Sequence, residues 1–301
     1  MELRQLQYVI QIAKEKNFSR AAEKLHIAQP SLSQQLSKLE KEIGVMLFRR
    51  TTNSVELTHA GSVFVHKAQA ILDAAEQLKQ EMEDMALMRK GRLVVGCLPI
   101  TGSHILPLVL PVFGSLYPEI EIVLVEDSSS KLEQLTASGE TDISLLSLPL
   151  EDPTLAWAPL IEEEICLAVP ERHVLAKHEG PVDIRQLHNE PFIVLKKGQG
   201  FRKITLDLCA QAGFVPSIVF ESSNIETVQS LVAAGMGIAF VPKMITHSVR
   251  NEFTPLYLSL GDPAPSRTLV IASRKGRYLS RAAEAFINTM KRTVDNHYNG
   301  G

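Results

Sequence analysis

Cysteine is scarce in this chain of 301 residues, and the three cysteines that occur, Cys97, Cys166 and Cys209, lie far apart. An odd number of widely spaced cysteines excludes a disulfide scaffold and a paired-cysteine zinc site. Long apolar runs are also missing, because none approaches the roughly 20 residues that a helix needs to cross a bilayer. The stretch MELRQLQYVIQIAKEK has charged and amide residues where a signal peptide needs an unbroken apolar segment. We therefore expect a cytoplasmic protein.

The short motifs of several common enzyme classes are absent as well. The sequence contains no GxSxG segment, no HExxH segment and no phosphate-binding GxxxxGKS or GxxxxGKT segment. The segment AGMGIAF has Phe240 where a dinucleotide-binding fingerprint has its third glycine, and the nine histidines are scattered. The sequence therefore predicts neither an enzyme nor a bound metal or cofactor.

Charge of one sign does not dominate the chain, whose formal net charge is −3, but the distribution is uneven. Residues 1–58 hold nine Lys and Arg against six Asp and Glu, which is a local charge of +3. The other residues hold 22 against 28. A mildly basic segment on an acidic body favours binding of a polyanion through one end only.

The N-terminal residues predict three helices joined by short turns. The first helix covers residues 3–16, and the second is the short segment RAAEKLH with Ser19 as its cap. The turn IAQ then leads into a third helix over residues 30–43, which Gly44 ends. A brief turn before the last of three helices is typical of the helix-turn-helix, whose last helix enters a DNA major groove.

The third helix has two contrasting sides. Its apolar side consists of Leu32, Leu36, Leu39 and Ile43. Its polar side consists of Ser33, Gln34, Ser37, Lys38 and Lys41. An ordinary solvated helix would look similar, but the preceding helices and the following hairpin favour a surface for DNA.

That hairpin is predicted in VMLFRRTTNSVELT, where strand-like pieces at residues 47–48 and 55–57 flank the turn-prone Thr-Asn-Ser. Arg49 and Arg50 stand at its base. Arginines beside a short polar tip suit contact with phosphates or insertion into a minor groove. We therefore interpret the hairpin as the wing of a winged helix-turn-helix.

A long helix is predicted from residue 58 to residue 88, because nothing after Gly61 breaks it. Its apolar positions follow the alternating spacing of a coiled-coil seam: Phe64, Ala68, Ile71, Ala75, Leu78, Met82 and Met85. The same helix from a second copy is the predicted partner, which gives a dimer. The alternative is a core helix packed on its own body.

After residue 89 the composition changes to that of an α/β domain. Apolar strand candidates are RLVVGC, EIEIVLVED, TDISLLS, ICLAVP, PFIVL, SIVFES and GIAFVP. Helical stretches such as RKITLDLCAQAG and NIETVQSLVAAG lie between them. This alternation predicts largely parallel sheets, and the length favours two lobes.

The segment FSRAAEKLHIAQPSLSQQLSKLEKEIGVMLFRRTTNSVELTHAG resembles the LysR-type transcriptional regulators nearly continuously over 44 residues. SGETDISLL and LVAAGMGIAFVP resemble the regulatory domain of that family. The resemblance implies an α+β multidomain protein. Its parts would be a winged helix-turn-helix (residues 1–58), a linker and dimerisation helix (59–89) and an effector domain (90–301) like type 2 periplasmic binding proteins. Lobe I would cover about 90–161 and 266–301, and lobe II about 162–265.

The resemblance also implies partners and a mode of regulation. Double-stranded promoter DNA and RNA polymerase are the expected partners, and the expected assembly is a homotetramer made of two homodimers. A small-molecule effector would bind between the lobes. Family habit implies activation of a divergently transcribed operon and repression of the regulator's own gene.

Carried over by position, the implied DNA contacts are Gln29, Pro30, Ser31, Ser33, Gln34 and Lys38, with Arg49, Arg50, Thr51 and Asn53 in the wing. Ser31 and Lys38 would lie near phosphates. Many family members have Arg where Gln34 stands. Because Arg favours guanine and Gln favours adenine, we expect a different preferred base there.

The implied effector-binding residues are Pro99, Ile100, Thr101, Gly102, Ser103, Ser128, Ser129, Ser147, Lys196, Gln199, Gly200, Phe201 and Arg202. Hydroxyls and free amides around Thr101-Gly102-Ser103 suit a carboxylate. Lys196, Lys197 and Arg202 would supply its counter-charge, so a small organic anion is the predicted ligand. Leu98 and Ile100 stand where many members have Ser or Thr, which leaves a more apolar ligand as the alternative.

Two rival functions remain open from the sequence. Cys209, in LDLCAQAG, resembles the second cysteine of the peroxide-sensing members, whose first, reactive cysteine would fall at Gly200. Without that partner, a buried apolar role for Cys209 is the better interpretation. A pure solute-binding protein would explain the α/β body but not residues 1–58.

Overall fold

The computed structural model describes residues 1–50, 55–85, 91–247, 253–261 and 263–298. The chain divides into two compact units, the first made mainly of residues 1–88 and the second of most of the remainder. The first unit opens with three helices, α1 (Leu3–Glu15), α2 (Phe18–Lys24) and α3 (Gln29–Ile43). These are the three predicted helices, each within two residues of its expected start.

The ends of α2 and α3 follow from local hydrogen bonds. Asn17 is extended, and its side-chain oxygen accepts the Arg20 amide at 3.1 Å, so the prediction of Ser19 as the cap is wrong. Gly44 has a φ of 77° and donates its amide to the Glu40 carbonyl at 2.9 Å. That left-handed conformation suits glycine and ends α3 where the sequence predicts.

The core of the first unit is formed by the facing sides of these helices. It contains Val9, Ile12, Phe18, Ala21, Ala22, Leu32, Leu36, Leu39, Leu47 and Phe48. The ring of Phe18 meets the ring of Phe48 edge-on, with centroids 6.4 Å apart. Because the apolar side of α3 is used in this core, its polar side faces outward.

The predicted wing is an antiparallel pair, β1 (Phe48–Arg50) and β2 (Val55–Leu57), in which Phe48 faces Leu57. Thr51 and Asn53 lie outside the described residues, as does the side chain of Arg50. The long helix α4 (His59–Met85) follows directly.

The second unit combines nine strands with helices on their faces. The strands are β3 (Gly91–Cys97), β4 (Ile120–Glu126), β5 (Ile143–Ser147), β6 (Leu155–Val169), β7 (Pro191–Leu195), β8 (Ser217–Ser222), β9 (Ala239–Pro242), β10 (Leu256–Ser259) and β11 (Ser266–Arg274). The α-helices are α5 (Pro99–Leu116), α6 (Ser129–Ser138), α7 (Gly200–Gln211), α8 (Ile225–Ala233) and α9 (Arg281–Tyr298). Three short 3-10 helices, Val174–Lys177, Ile184–Leu187 and Lys243–His247, complete the list for the described residues.

The main sheet runs in the order β10-β6-β11-β5-β3-β4, and β9 pairs with β6. Strand β3 is parallel to both β4 and β5, and β7 is parallel to β8. Every pairing of β6 and β11 is antiparallel, however, so the prediction of largely parallel sheets is only half right. The reason is that β6 carries the chain out of lobe I and β11 carries it back.

Strand β6 therefore belongs to both lobes. Its first ten residues, through Glu164, pair with β11 in lobe I. From Ile165 onward it pairs with β9 and β10 in lobe II. Lobe II has its own core around Phe192, Phe201 and Phe240.

Helix α5 is the one helix among the described residues that is apolar and long enough, at 18 residues, to pass a composition test for a membrane span. Its Ile105, Val109 and Phe113 are fully buried in the lobe I core. The ring of Phe113 packs against that of Phe286 on α9, with centroids 5.0 Å apart. These contacts are those of a core helix.

Candidate nucleic-acid interface and ligand cavity

The outward side of α3 is a continuous polar surface. Gln29, Pro30, Ser31, Gln34, Ser37 and Lys38 are exposed, and Ser33 is half-buried. The Gln29 amide nitrogen donates to Ser33 Oγ at 2.9 Å, which orders the first turn of this surface. All six α3 residues predicted from the resemblance therefore lie together on one face of a helix whose other face is fixed in a core. Arg49 of the wing is exposed as well.

Glu40 joins α3 to the wing, and the sequence reasoning missed it. Its carboxylate is buried within α3, and Oε1 accepts the backbone amides of Leu47 at 2.7 Å and Phe48 at 3.3 Å. Thr58 fixes the other side of the hairpin, because its hydroxyl donates to the Met46 carbonyl at 2.8 Å. The angle between the polar side of α3 and the wing is therefore set by the buried hydrogen bonds of Glu40 together with the exposed bond of Thr58.

Replacing Glu40 with Ala is expected to destabilise the first unit by roughly 2–3 kcal/mol, because two buried amides lose a charged acceptor. Hydrogen exchange is the sharpest readout, since the Leu47 and Phe48 amides should lose protection before the helices do. Glu23→Ala is the control, because Glu23 is exposed on α2. Unchanged protection of both amides in Glu40→Ala would contradict this role.

The apolar stripe of α4 divides into two parts. Phe64 and Ala68 pack inward, Phe64 against the core of the first unit, so the single-body alternative is correct for this end of the stripe. Further along, Ile71 is 43% exposed, Leu78 60% and Met82 48%. The side chain of Met85 lies outside the described residues. Large apolar groups that are exposed at regular spacing on one helix are typical of an oligomer interface.

A cavity of about 310 Å³ lies between the two lobes of the second unit. It is enclosed by the first turns of α5, α6, α7 and α8 and by the end of β9. The lining residues are Leu98, Pro99, Ile100, Ser103, His104, Ser129, Leu195, Gln199, Gly200, Phe201, Ser223, Asn224, Ile225, Glu226, Gln229, Pro242, Ile245 and Arg267. Its size is at the lower end of the ~300–1,000 Å³ typical of small-molecule sites.

Seven of the predicted effector-binding residues line this cavity: Pro99, Ile100, Ser103, Ser129, Gln199, Gly200 and Phe201. Two of them connect the lobes, because the Gly200 amide donates to Ser129 Oγ at 2.9 Å. Next to this contact, the Ser130 amide donates to the Gly198 carbonyl at 3.1 Å. A Cβ on Gly200 would lie 3.0 Å from Ser129 Oγ, so a larger residue here would require the Ser129 side chain to shift by a few tenths of an ångström.

Six predicted residues lie outside the lining: Thr101, Gly102, Ser128, Ser147, Lys196 and Arg202. Helix α5 begins at Pro99, which turns Thr101 and Gly102 into the lobe I interior, where the Gly102 amide donates to the Leu98 carbonyl at 2.8 Å. Ser128 bonds its own neighbour Asp127, and Ser147 is buried near Arg267. These six predicted residues therefore do not line the cavity, and their effector-binding role stays a prediction.

The residues predicted to supply counter-charge also lie outside the cavity. Lys196 and Lys197 are exposed outside the cavity. The guanidinium of Arg202 donates to Glu221 and to the Leu195 carbonyl, both at 2.7 Å. None of the three cations supplies positive charge to the cavity.

Arg267, at the start of β11, is the cation that the sequence reasoning missed. Its side chain is 1% exposed, and its Nε and Nη2 lie 2.8 and 2.7 Å from Glu163 Oε2. The guanidinium carbon lies 5.3 Å from the centroid of the Phe201 ring. Burial lowers the pKa of Arg267, and the neighbouring Glu163 carboxylate opposes that effect. The only sequence signal is a charged residue at the start of the apolar segment TLVIAS.

The three cysteines are buried thiols. Burial raises the pKa of Cys209 to about 12, and burial with the nearby Glu126 raises the pKa of Cys97 to about 11. High thiol pKa values are those of unreactive cysteines. Within the described residues, no group of three His, Cys, Asp or Glu side chains is placed to hold a metal ion.

Comparisons with known proteins agree with this division of the chain. Residues 3–62 match the model for "Bacterial regulatory helix-turn-helix protein, lysR family", and residues 88–295 match "LysR substrate binding domain". The uncharacterised HTH-type transcriptional regulator YcgK of Bacillus subtilis is 41% identical and aligns with 100% of this chain and 97% of its own length. The DNA-binding transcriptional dual regulator OxyR of Escherichia coli is 32% identical over 99% of this chain and 97% of its own length.

A solved structure of full-length OxyR from Pseudomonas aeruginosa superposes with a TM-score of 0.75 at 27% identity. It covers 98% of this chain, and this chain covers 95% of it.

Proposed function

The chain belongs to the LysR family of bacterial transcriptional regulators, and we propose that it binds promoter DNA sequence-specifically as a homotetramer and responds to a small organic ligand in the inter-lobe cavity. The observation that carries the DNA-binding part is the exposed polar side of α3, with its apolar side buried in the core. Such a helix fits the recognition position of a helix-turn-helix. The family consists of transcription regulators rather than enzymes.

Gel retardation of duplexes from the chain's own upstream region, at low salt, tests this proposal. We expect a discrete complex whose footprint covers two half-sites spaced by whole turns of DNA. Failure to retard any such duplex at low salt, where phosphate contacts are strongest, would remove the DNA-binding role.

Gln34 is proposed to read one base edge, because it is exposed near the start of α3. Gln34→Ala should cost about 1–3 kcal/mol at one base position and relax the preference there. Binding to a library of operators with single-base changes measures this effect.

Lys38→Ala is the matched comparison, since Lys38 is exposed one turn further along the same face. Loss of a phosphate contact should weaken all sequences about equally and reduce the salt dependence of binding. A uniform loss in Gln34→Ala would show instead that Gln34 does not read a base.

Two exposed apolar surfaces support the proposed oligomer. One is the stripe Ile71, Leu78 and Met82 on α4, which we assign to pairing of two copies. The other is β8, which pairs only with β7 among the described strands and exposes Ile218, Val219 and Phe220. A second contact of this kind is what a tetramer of two dimers requires.

The effector part of the proposal is supported by the cavity and by the hydrogen bonds that cross between the lobes next to it. A ligand that binds one arrangement of the lobes better than another shifts the balance between them. We propose that this shift alters the spacing of the winged helix-turn-helix domains in the tetramer. The tetramer would then activate a divergently transcribed operon through contact with RNA polymerase. Repression of the regulator's own gene, and a cytoplasmic location, complete the proposal.

Peroxide sensing by a cysteine pair is not part of this proposal, although the OxyR relatives include proteins named hydrogen peroxide-inducible genes activators. Position 200 is glycine, and the Cys209 thiol is fully buried in the lobe II core. The cavity beside Gly200 supports ligand binding instead.

A further inference from the structure

We propose that the ligand of the inter-lobe cavity is an uncharged amphipathic molecule rather than an organic anion. This inference rests on the proposed function of the cavity as an effector site. It follows from the apolar walls, the balance of buried charge and the neutral hydrogen-bonding groups of the described lining residues.

The walls of the cavity are mainly apolar. Eight lining residues are aliphatic, aromatic or proline: Leu98, Pro99, Ile100, Leu195, Phe201, Ile225, Pro242 and Ile245. They come from both lobes, so a ligand that joins the lobes buries apolar surface on each side. A ligand with an extended apolar part gains from this burial in proportion to its area.

The one permanently cationic lining residue, Arg267, has its charge balanced. Glu163 is 6% exposed and accepts Nε and Nη2 of Arg267 through the same oxygen. Its other oxygen accepts the Met244 amide at 2.6 Å. An anion placed against Arg267 would also lie close to this buried carboxylate, and burial of a charge without a free partner is unfavourable.

The remaining formal charge of the lining is negative. Glu226, in the first turn of α8, is exposed at the cavity, and its carboxylate accepts no hydrogen bond among the contacts described. The amides at the helix starts are partly used, because Asn224 accepts the Glu226 amide and Ser129 accepts the Gly200 amide.

Neutral groups provide the complementary hydrogen bonds. The Ser129 hydroxyl accepts from Gly200 and so keeps its own proton for a ligand acceptor. The side-chain oxygen of Gln229 accepts the Tyr257 hydroxyl, which leaves the Gln229 amide hydrogens as donors. Gln199 donates to the Ser223 carbonyl at 3.4 Å, which leaves its oxygen as an acceptor. This mixture of donors and acceptors suits an amide, alcohol or ketone.

Matched pairs of compounds test the proposal on the full-length protein. Benzamide and benzoate have the same shape and differ in charge at neutral pH, as do hexanamide and hexanoate. We expect the amide of each pair to bind about tenfold or more tightly than the carboxylate, by calorimetry and by thermal shift. Ile100→Trp, which fills the cavity, should abolish both signals while a cooperative unfolding transition of the second unit shows that this unit remains folded.

Glu226→Gln gives an independent readout. Removal of the Glu226 charge should tighten benzoate binding about two- to fivefold relative to benzamide binding. Carboxylates that bind as well as or better than their amides, or benzylamine that binds better than benzamide, would overturn the inference while leaving the cavity's effector role intact. If no member of a broad set of amide, carboxylate and amine compounds binds, the effector role itself fails, and the inference fails with it.

Discussion

Replacement of Arg267 with methionine is expected to lower the free energy of unfolding of the second unit by about 3–5 kcal/mol, because it leaves the Glu163 carboxylate buried without its partner. The pair lies between directly opposed residues of β6 and β11, and both side chains are less than 7% exposed. Methionine keeps the unbranched stem of arginine up to the position of Nε, so the main loss is that of the charged guanidinium itself. The expected effect is therefore electrostatic.

Denaturant unfolding followed by tryptophan fluorescence measures this loss selectively. Trp157, the only tryptophan in the sequence, lies on β6 and therefore reports on the second unit. The matched control is Arg185→Met, because Arg185 also pairs with an acidic residue, Asp183, but its side chain is 77% exposed. A surface pair of this kind contributes little. Equal losses in the two variants would contradict the role assigned to burial.

The double variant Arg267→Met with Glu163→Gln tests whether the loss of stability comes from the single charge that Arg267→Met leaves unpaired. If an unpartnered charge causes the loss, removal of the second charge should restore part of the stability that the first substitution removes. If the losses of the two single variants simply add, the shape of the side chains, rather than their charge, accounts for the loss of stability.

Substitution of Asp for both Ile71 and Leu78 is expected to give monomers. Binding to an operator with two half-sites should weaken by about a hundredfold or more, because the two DNA-binding domains are no longer linked. Both residues are on the exposed part of the α4 stripe, so the substitutions disturb no buried group of the isolated chain. Light scattering gives the mass of the assembly, and titration of labelled operator gives the affinity.

Ala74→Asp is the control for this experiment, because Ala74 is exposed on α4 but lies outside the stripe. It should leave both mass and affinity unchanged. An intact oligomer in the double Asp variant would show that copies associate through another surface, such as the apolar residues of β8.

The sequence predicts the first unit well because its signals are local. The spacing of Leu32, Leu36 and Leu39, and the position of Gly44, determine where α3 lies and where it ends. The exception is Asn17, which takes the capping role expected of Ser19 because the helix starts before the serine. The capping residue is the one that leaves the helical conformation just before the first turn, and periodicity does not specify which residue that is.

The second unit is less predictable because its central contacts join distant segments. Seven strand candidates match strands or parts of strands, but SRTLVIASR, which forms β11 in the middle of the sheet, was not among them. Glu163 and Arg267 are 104 residues apart in sequence. Nothing near either residue indicates the other, so the charge balance of the cavity became visible only in three dimensions.

The candidate cavity also shows what local sequence leaves undetermined. The observed helix starts at Pro99, Ser129 and Gly200 bring seven predicted residues to the lining. Local sequence does not reveal which residue of a first turn faces a cavity, and Thr101 and Gly102 face the interior instead. The charge of Arg202 predicts a counter-charge for the ligand, but Arg202 forms an ion pair with Glu221 on β8 instead.

The shared strand β6 has a consequence for how this protein can be divided. Residues up to Glu164 pair within lobe I and those from Ile165 within lobe II, and lobe I is completed only by β11, which follows lobe II in the chain. A single cut at that point would separate β11 from β5 and from the first part of β6, which leaves strand edges without partners and invites aggregation. Dissection, domain grafting or biosensor construction with this chain should therefore keep the whole second unit together and place insertions outside the crossover strands.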